Sequence, residues 1–347
     1  NAKKRQQFLS WLKKYHEILM FPVDLLWKSS CWKSHKLEQW IEEFSPELIF
    51  LHAGAAGYSH QVAWWICQKY QLPLCVYCTD DYVVENGRNL LGSWKRIATF
   101  RHTMAMAETA FVIGDYMAER YTQFFGREFL SVMNCIEDIP YEPEQPTHEL
   151  RIVFIGGVHL NRWKALAKFG KLINSINTET AENIRVDIFC AQELEENIQK
   201  TLSQPPLFFC GKLSADQVTA EIKKAHCLLH VESEDRRSRM LTKMSISTKI
   251  PEYLISGRCL IACGPHEVAS IRLVKEKKVG VVISDLDDER QKIETLKTIL
   301  FDPVKRAEIG QKGRAYAQKN FLGKNVRRKF EQALCIISSA NDLESKK

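Results

Sequence analysis

The chain has 347 residues, 45% of them hydrophobic and 26% charged, with a formal net charge of +7; this is the composition of an ordinary globular protein long enough for two domains. It contains no run of about 18 uncharged apolar residues, which argues against a membrane-spanning helix. Its basic residues are not interleaved with exposed aromatics, so no nucleic-acid partner is expected. The eleven cysteines mostly sit in apolar runs, and the one C-x-x-C, Cys75 and Cys78, lies in a predicted strand without a second pair. No metal site is expected, and a reducing, cytoplasmic setting is.

The sequence begins at Asn1 rather than Met and shows no signal-peptide pattern, so a natural beginning upstream is expected. Phe8, Leu9, Trp11, Leu12 and Tyr15 have helical spacing. Basic clusters at Lys3, Lys4 and Arg5 and at Arg236, Arg237 and Arg239 read as solvated faces or as attractors of polyanions. The Trp-containing segment with Lys13, Lys14, Trp27, Lys28, Trp32 and Lys33 reads in two ways. Its helices pack on the first domain with lysines outward, or they rest on anionic lipid at the inner face of a membrane.

Apolar runs then alternate with amphipathic stretches. A buried strand at 47–51 leads into the loop HAGAAG (52–57), and a helix carrying Val62, Trp64, Trp65 and Ile66 follows. Next come a strand at 74–77, the loop TDDY (79–82), a helix near 92–107 and a strand at 110–113. A polar-started helix and a strand at 129–133 close the first half. The segment YEPEQPTH (141–148), with two prolines and no apolar run, is the linker, dividing an N-terminal domain (1–147) from a C-terminal one (148–330) and a terminal helix end and tail (331–347). The rhythm restarts with a strand at 151–155, Gly156-Gly157, helix 163–175, strand 184–189, helix 192–202 and strand 207–209. Helix 214–224, strand 227–231 and a polar, charge-rich stretch at 232–244 follow. After SISTKIPEYLISGRCLIACGP (245–265) come helix 266–277, strand 279–283 and a helical region over 303–340. Strands alternating with crossover helices predict an α/β fold with parallel sheets in two domains.

In such sheets ligands bind beyond the carboxyl ends of the strands, where the polar and glycine residues of this chain collect. His52, Gly54 and Gly57 follow one strand, and Asp80 and Asp81 another. Gly156, Gly157, Arg162 and Lys164 follow the first strand of the second half, and Gly264-Pro265 ends a later one. Two domains facing one another would line a central cleft with these loops. Ser247, Thr248, Lys249 and Glu252 enter a helix with Pro251 in its first turn. A capping box needs Glu or Gln three residues after the cap; Ile250 and Pro251 occupy those places, so Glu252 is out of register. Two readings stand: ordinary capping, or two hydroxyls and a lysine facing a phosphate, with Glu252 one turn on to accept hydrogen bonds from sugar hydroxyls.

The run STKIPEYLISGRCLIACGP resembles the donor-binding segment of GT-B fold glycosyltransferases of the family 4-like type, which assemble polysaccharides and surface glycans. RIVFIGGVHLNRWKAL (151–166) is similar to the opening of their C-terminal domain, and ETAFVIGDYMAERYTQFFGREFLSVMNCIED (108–138) to the end of their N-terminal domain. The similarity runs from about Trp32 to about Leu334. It implies two Rossmann-like domains facing a central cleft. It further implies transfer of a sugar from a nucleotide diphosphate sugar to a glycan or lipid-linked acceptor, retaining configuration and needing neither metal nor cofactor. Arg162 and Lys249 would hold the diphosphate, helped by Ser247, Thr248 and Lys164. Glu252 would take the ribose, and Gly157, Gly264 and Pro265 would approach the sugar or phosphate. Asp80 and Asp81 fall where a catalytic His-Asp pair is common, with His52 and Gly54 on the acceptor side.

Three departures accompany this. Met244 stands where many members have a first glutamate, leaving Glu232, Glu234 or Asp235 to replace it. Thr79 or Asp80 replaces the histidine, and the first strand with its glycine-rich loop would precede Asn1. A non-catalytic GT-B-like scaffold or nucleotide-sugar binder is the reading of a different class. A nucleotide-sugar epimerase, using His52, Asp80, Asp81 and His159, is the other enzyme.

Overall fold

The computed structural model describes residue 27 and residues 32–85, 93–142 and 149–344, with side chains through 335. The chain forms two compact units, one of Asn1–Phe111 with Phe125–Phe129, the other of Val112–Phe124 with Leu130–Lys347. The expected helix around Phe8–Tyr15, the cluster at Lys3–Arg5 and residues 143–148 of the linker lie outside the described residues.

In the first unit, helix α1 (His35–Phe44) starts where the Ser34 hydroxyl accepts the Leu37 amide at 3.3 Å. Strand β1 (Ile49–His52), helix α2 (Gly57–Tyr70), strand β2 (Leu74–Cys78), helix α3 (Ser93–Met106) and strand β3 (Ala107–Val112) follow. The sheet of this unit has the strand order β1-β2-β3. β1 and β2 pair parallel from Ile49↔Leu74 to His52↔Tyr77, so their carboxyl ends lie side by side.

β2, LCVYC, is buried almost throughout. Burial holds the Cys75 thiol up at about 12 and raises Cys78 further, so neither carries thiolate chemistry near neutrality. His60 on α2 is fully buried; one ring nitrogen meets the Thr103 hydroxyl at 2.7 Å and the other the Gly54 carbonyl at 3.0 Å. Burial lowers its pKa, and the bonds tie α2, α3 and the loop after β1 together. Trp27 stacks on Tyr58 at 5.1 Å and Trp32 meets Trp65 edge-on at 5.2 Å. In the described part of the N-terminal segment Trp27 and Trp32 therefore pack on α2. Among the described residues no helix is long and apolar enough to cross a membrane.

The second unit takes in helix α4 (Asp115–Phe125) as far as Phe124 and β4 (Leu130–Ser131), then runs β5 (Arg151–Ile155), α5 (Arg162–Thr180), β6 (Arg185–Phe189), α6 (Glu196–Leu202), β7 (Leu207–Gly211), α7 (Ala215–Lys224) and β8 (Cys227–Val231). It continues through α8 (Arg236–Thr242), α9 (Lys249–Ile255), β9 (Cys259–Gly264), α10 (Ala269–Lys277), β10 (Val281–Ser284), α11 (Glu289–Leu300), α12 (Pro303–Asn320) and α13 (Gly323–Glu344). Six parallel strands form a sheet ordered β10-β9-β8-β5-β6-β7. Alternate strand residues, among them Ile152, Phe154, Val186, Ile188, Leu229 and Ile261, build one core with Leu166, Phe169 and Ile173 of α5 and Leu296, Ile299 and Leu300 of α11.

The ends of helices are satisfied by charge. The buried Arg306 donates to the carbonyls of Ile299 and Leu300, and Arg314 donates to that of Ile255, to Asp138 at 2.9 Å and to the Ile139 carbonyl at 2.7 Å. α12 crosses so close to the end of α9 that a Cβ at Gly310 would lie 1.9 Å from the Gly257 carbonyl oxygen. That contact holds α9, the helix of the STKIPEYL run, against the body of the unit.

Candidate functional site

Counted from β5, the second sheet has the order 3-2-1-4-5-6, whose topology reverses between β5 and β8. At such a point the connecting loops part in opposite directions and leave a crevice beyond the carboxyl ends of the two strands. Gly156-Gly157 leaves β5 there, and Glu232 immediately follows β8. Within that turn Leu160 and Asn161 are both left-handed, with φ of 55° and 60°. For leucine this is an unfavourable backbone, held by its surroundings and costing about 1–3 kcal/mol. The turn delivers Arg162 as the first residue of α5.

Arg162, expected to hold a diphosphate, has a buried partner in the structure. Its guanidinium forks the Glu232 carboxylate at 3.0–3.3 Å, and the His230 ring meets Oε1 of the same carboxylate at 3.0 Å. Glu232 is 1% exposed. Burial opposes its charge, but the hydrogen bonds and charges of His230 and Arg162 outweigh burial and lower its pKa. Across from it, Gly264 has φ +152°, and a Cβ there would come within 2.9 Å of the Glu232 Cβ and 3.0 Å of its carbonyl. Gly264-Pro265 thus leaves the sheet against Glu232, as only glycine permits.

The helix start of α9 is capped by Ser247, whose hydroxyl accepts the Lys249 amide at 3.4 Å while its own amide donates to Ser270 Oγ at 3.0 Å. Thr248 is helical in backbone, exposed, and forms no side-chain cap bond. Lys249 Nζ meets Glu252 Oε2 at 2.6 Å, with the two side chains 30% and 39% exposed. Pairs of this exposure contribute about 0–1 kcal/mol. Lys164 is exposed over the Trp163 ring, 5.4 Å from its centre. Asp235, its electrostatic neighbour, caps α8 through the Ser238 amide at 2.9 Å, which lowers the Asp235 pKa.

Tyr253 joins these parts and was not singled out from the sequence. Its buried hydroxyl accepts the Ile155 amide at 2.8 Å and donates to the Ile155 carbonyl at 3.0 Å. α9 is thereby bolted to the last residue of β5, immediately before Gly156-Gly157. Its signal was the tyrosine beside Glu252 in PEYL, but the partner lies 98 residues away. The expected result for Tyr253→Phe is a loss of roughly 1–3 kcal/mol, because it strips both polar groups of Ile155 of this partner. Urea unfolding measures it.

In the first unit, His52 Nε2 lies 2.9 Å from Thr79 Oγ1, so the carboxyl ends of β1 and β2 carry these two polar groups. Asp80 is exposed. Asp81, expected to act in catalysis, is a turn-capping residue: 4% exposed, its carboxylate accepts the amides of Val83, Val84 and Glu85 at 2.7–3.1 Å. Gly54, expected on the acceptor side, gives its carbonyl to His60. Among the described residues no group of three metal-ligating side chains is found.

Two α/β units, the second a doubly wound six-stranded sheet, make this the GT-B fold. Solved structures with the same fold include sucrose-phosphate synthase from Thermosynechococcus elongatus, at 14% identity and a TM-score of 0.64 over 88% of this chain and 77% of that one. Anabaena HepE, solved with UDP-glucose, aligns at 15% identity and a TM-score of 0.58 over 88% of this chain and 81% of its own. S. aureus TarM, solved as a variant with fondaparinux, alpha-GlcNAc-glycerol and UDP, aligns at 13% identity and a TM-score of 0.54 over 76% of this chain, which spans half of TarM's length. No family model matches the chain, and no curated protein matches it.

Proposed function

We propose that the chain is a glycosyltransferase that takes a nucleoside diphosphate sugar at the crevice of its second unit and passes the sugar to a hydroxyl of a glycan or lipid-linked acceptor. The observation that carries this reading is the Lys249–Glu252 pair at the start of α9, beside the switch point of a GT-B sheet. A diphosphate accepts from an ammonium and a ribose diol donates to a carboxylate, so the ligand replaces each residue's present partner. The pair is weak enough to part, whereas Arg162, locked on buried Glu232, is a positioning residue that shapes the turn at 156–162. Lys164, Thr248 and the Gly157 backbone are the further donors, and Ser247 acts through its cap.

As the glycosidic bond breaks, negative charge grows on the departing diphosphate. Lys249 stabilises it most where water is excluded. The proposed course retains anomeric configuration and uses no metal or cofactor, the diphosphate being met by side chains. On the acceptor side the candidates are Asp80 and His52; Asp81 is committed to its turn. A binder that does not transfer is the second reading, favoured by that commitment of Asp81 and by the burial of Met244 at the place of a first glutamate.

The test is a panel of UDP-, GDP- and ADP-sugars followed by mass spectrometry, with isothermal titration of the same nucleotides. Release of nucleoside diphosphate with formation of a glycosylated acceptor supports transfer. Binding without turnover supports the second reading, and no binding of any nucleotide overturns both.

A further inference from the structure

A cavity of about 320 Å³ opens elsewhere in the second unit, where α4, β4, α10, α12 and α13 meet. It shares no residue with the site above. Its charged lining is one-sided: Lys319, Arg328 and Lys329 face it with a single carboxylate, Asp115, which lies 3.6 Å from Lys277. Lys329 Nζ is pinned at the rim by the Ser131 carbonyl at 2.5 Å and keeps two further N–H groups. Lys319 and Arg328 make no ion pair among the described residues.

The amino end of the eleven-residue α4 reaches the same space through Gly114 and Asp115, adding a positive dipole end. Burial, with Asp115 adding to it, holds the Tyr316 hydroxyl up at about 12, so it remains a hydrogen-bond donor. Gln332 and Asn325 add amide groups, and Asn325 is fixed by its bonds to the carbonyls of Gln318 and Lys319 at 2.9 and 3.1 Å.

Such a lining serves two chemistries at once: cations and amides for an oxyanion, and neutral polar groups for hydroxyls. The volume sits at the lower end of ligand pockets, about 300–1,000 Å³, which suits a monosaccharide carrying one phosphate and is too small for a whole nucleotide sugar. We propose that this cavity is a second ligand site, distinct from the crevice at β5 and β8, that binds a phosphorylated monosaccharide through Lys319, Arg328 and Lys329.

Isothermal titration of the full chain with glucose 1-phosphate tests it. Saturable binding is expected, at least ~10-fold tighter than for glucose or inorganic phosphate alone, since each lacks one half of the recognition. The Lys319→Ala/Arg328→Ala double variant changes two exposed side chains and is expected to weaken glucose 1-phosphate at least ~10-fold, roughly the loss of one charge-assisted bond. Lys249→Ala is expected to leave that binding unchanged, which separates this cavity from the nucleotide crevice. Absence of saturable binding, equal binding of phosphate alone, or loss of binding in Lys249→Ala but not in the double variant overturns the proposal.

Discussion

In Lys249→Ala, nucleoside diphosphate affinity is expected to fall ~10–100-fold, the loss of a charge-assisted hydrogen bond of about 1.5–3 kcal/mol. Unfolding free energy should change by less than about 1 kcal/mol, because the partner removed, Glu252, is partly exposed. The two numbers belong together. A lysine that served only to hold α9 would show the second effect without the first. Titration of UDP, GDP and ADP into wild type and variant, beside urea unfolding of both, measures them. Undiminished affinity of the preferred nucleotide in the variant sinks the assignment of Lys249 to the diphosphate.

The opposite pattern is expected at Arg162. Arg162→Ala leaves the Glu232 carboxylate, 1% exposed, with His230 as its remaining charge-capable partner, and removing one member of a buried pair costs about 3–5 kcal/mol. Removing both, in Arg162→Ala/Glu232→Ala, should recover part of that loss. The sign of the pH effect follows from the lowered pKa of Glu232. In the wild type its charge contributes stability above the unfolded-state value of about 4.5, and this is lost as pH falls towards the folded value. Without Arg162 the carboxyl takes a proton more readily. The deficit of Arg162→Ala against wild type is therefore largest near pH 7 and narrows towards pH 4.5. A pH-independent deficit, or a double variant no more stable than the single one, would show that the pair does not act as described.

Much of this fold is legible along the chain. The apolar runs of β5, β6, β8 and β9 are short, β-rich and bounded by glycine or charge, and their crossover helices carry apolar spacing, so sheet and class follow from period alone. Two helices escape that logic. α8, RRSRMLT, is seven residues of mostly polar chain, ordered by Asp235 accepting the Ser238 amide rather than by an apolar stripe. α11, absent from the expected elements, starts with the Asp288–Gln291 capping box, but its apolar stripe is thin. The helical stretch after it is itself two helices, divided near Phe321 and Leu322.

The site divides in the same way. Glycines and cations at strand ends were readable because position beyond a parallel strand defines where ligands go. Pairing was not. Arg162 and Glu232 are 70 residues apart, and only the adjacency of β5 and β8, a property of strand order, makes them partners. The turn that Asp81 caps was not legible for a local reason: an aspartate two to four residues before free amides reads equally as a turn cap or as an acid catalyst.

The spacing of Lys249 and Glu252, one helical turn apart and already in contact, has a bearing on selectivity. At rest the pair neutralises itself, so the crevice is no general sink for anions. A ligand bearing phosphate alone takes the lysine and strands the glutamate; one bearing a diol alone does the reverse. Only a molecule that presents both groups at the right separation leaves neither charge unsatisfied, and the helix start thereby works as a coincidence detector for nucleotides amid a large excess of inorganic phosphate and free sugar.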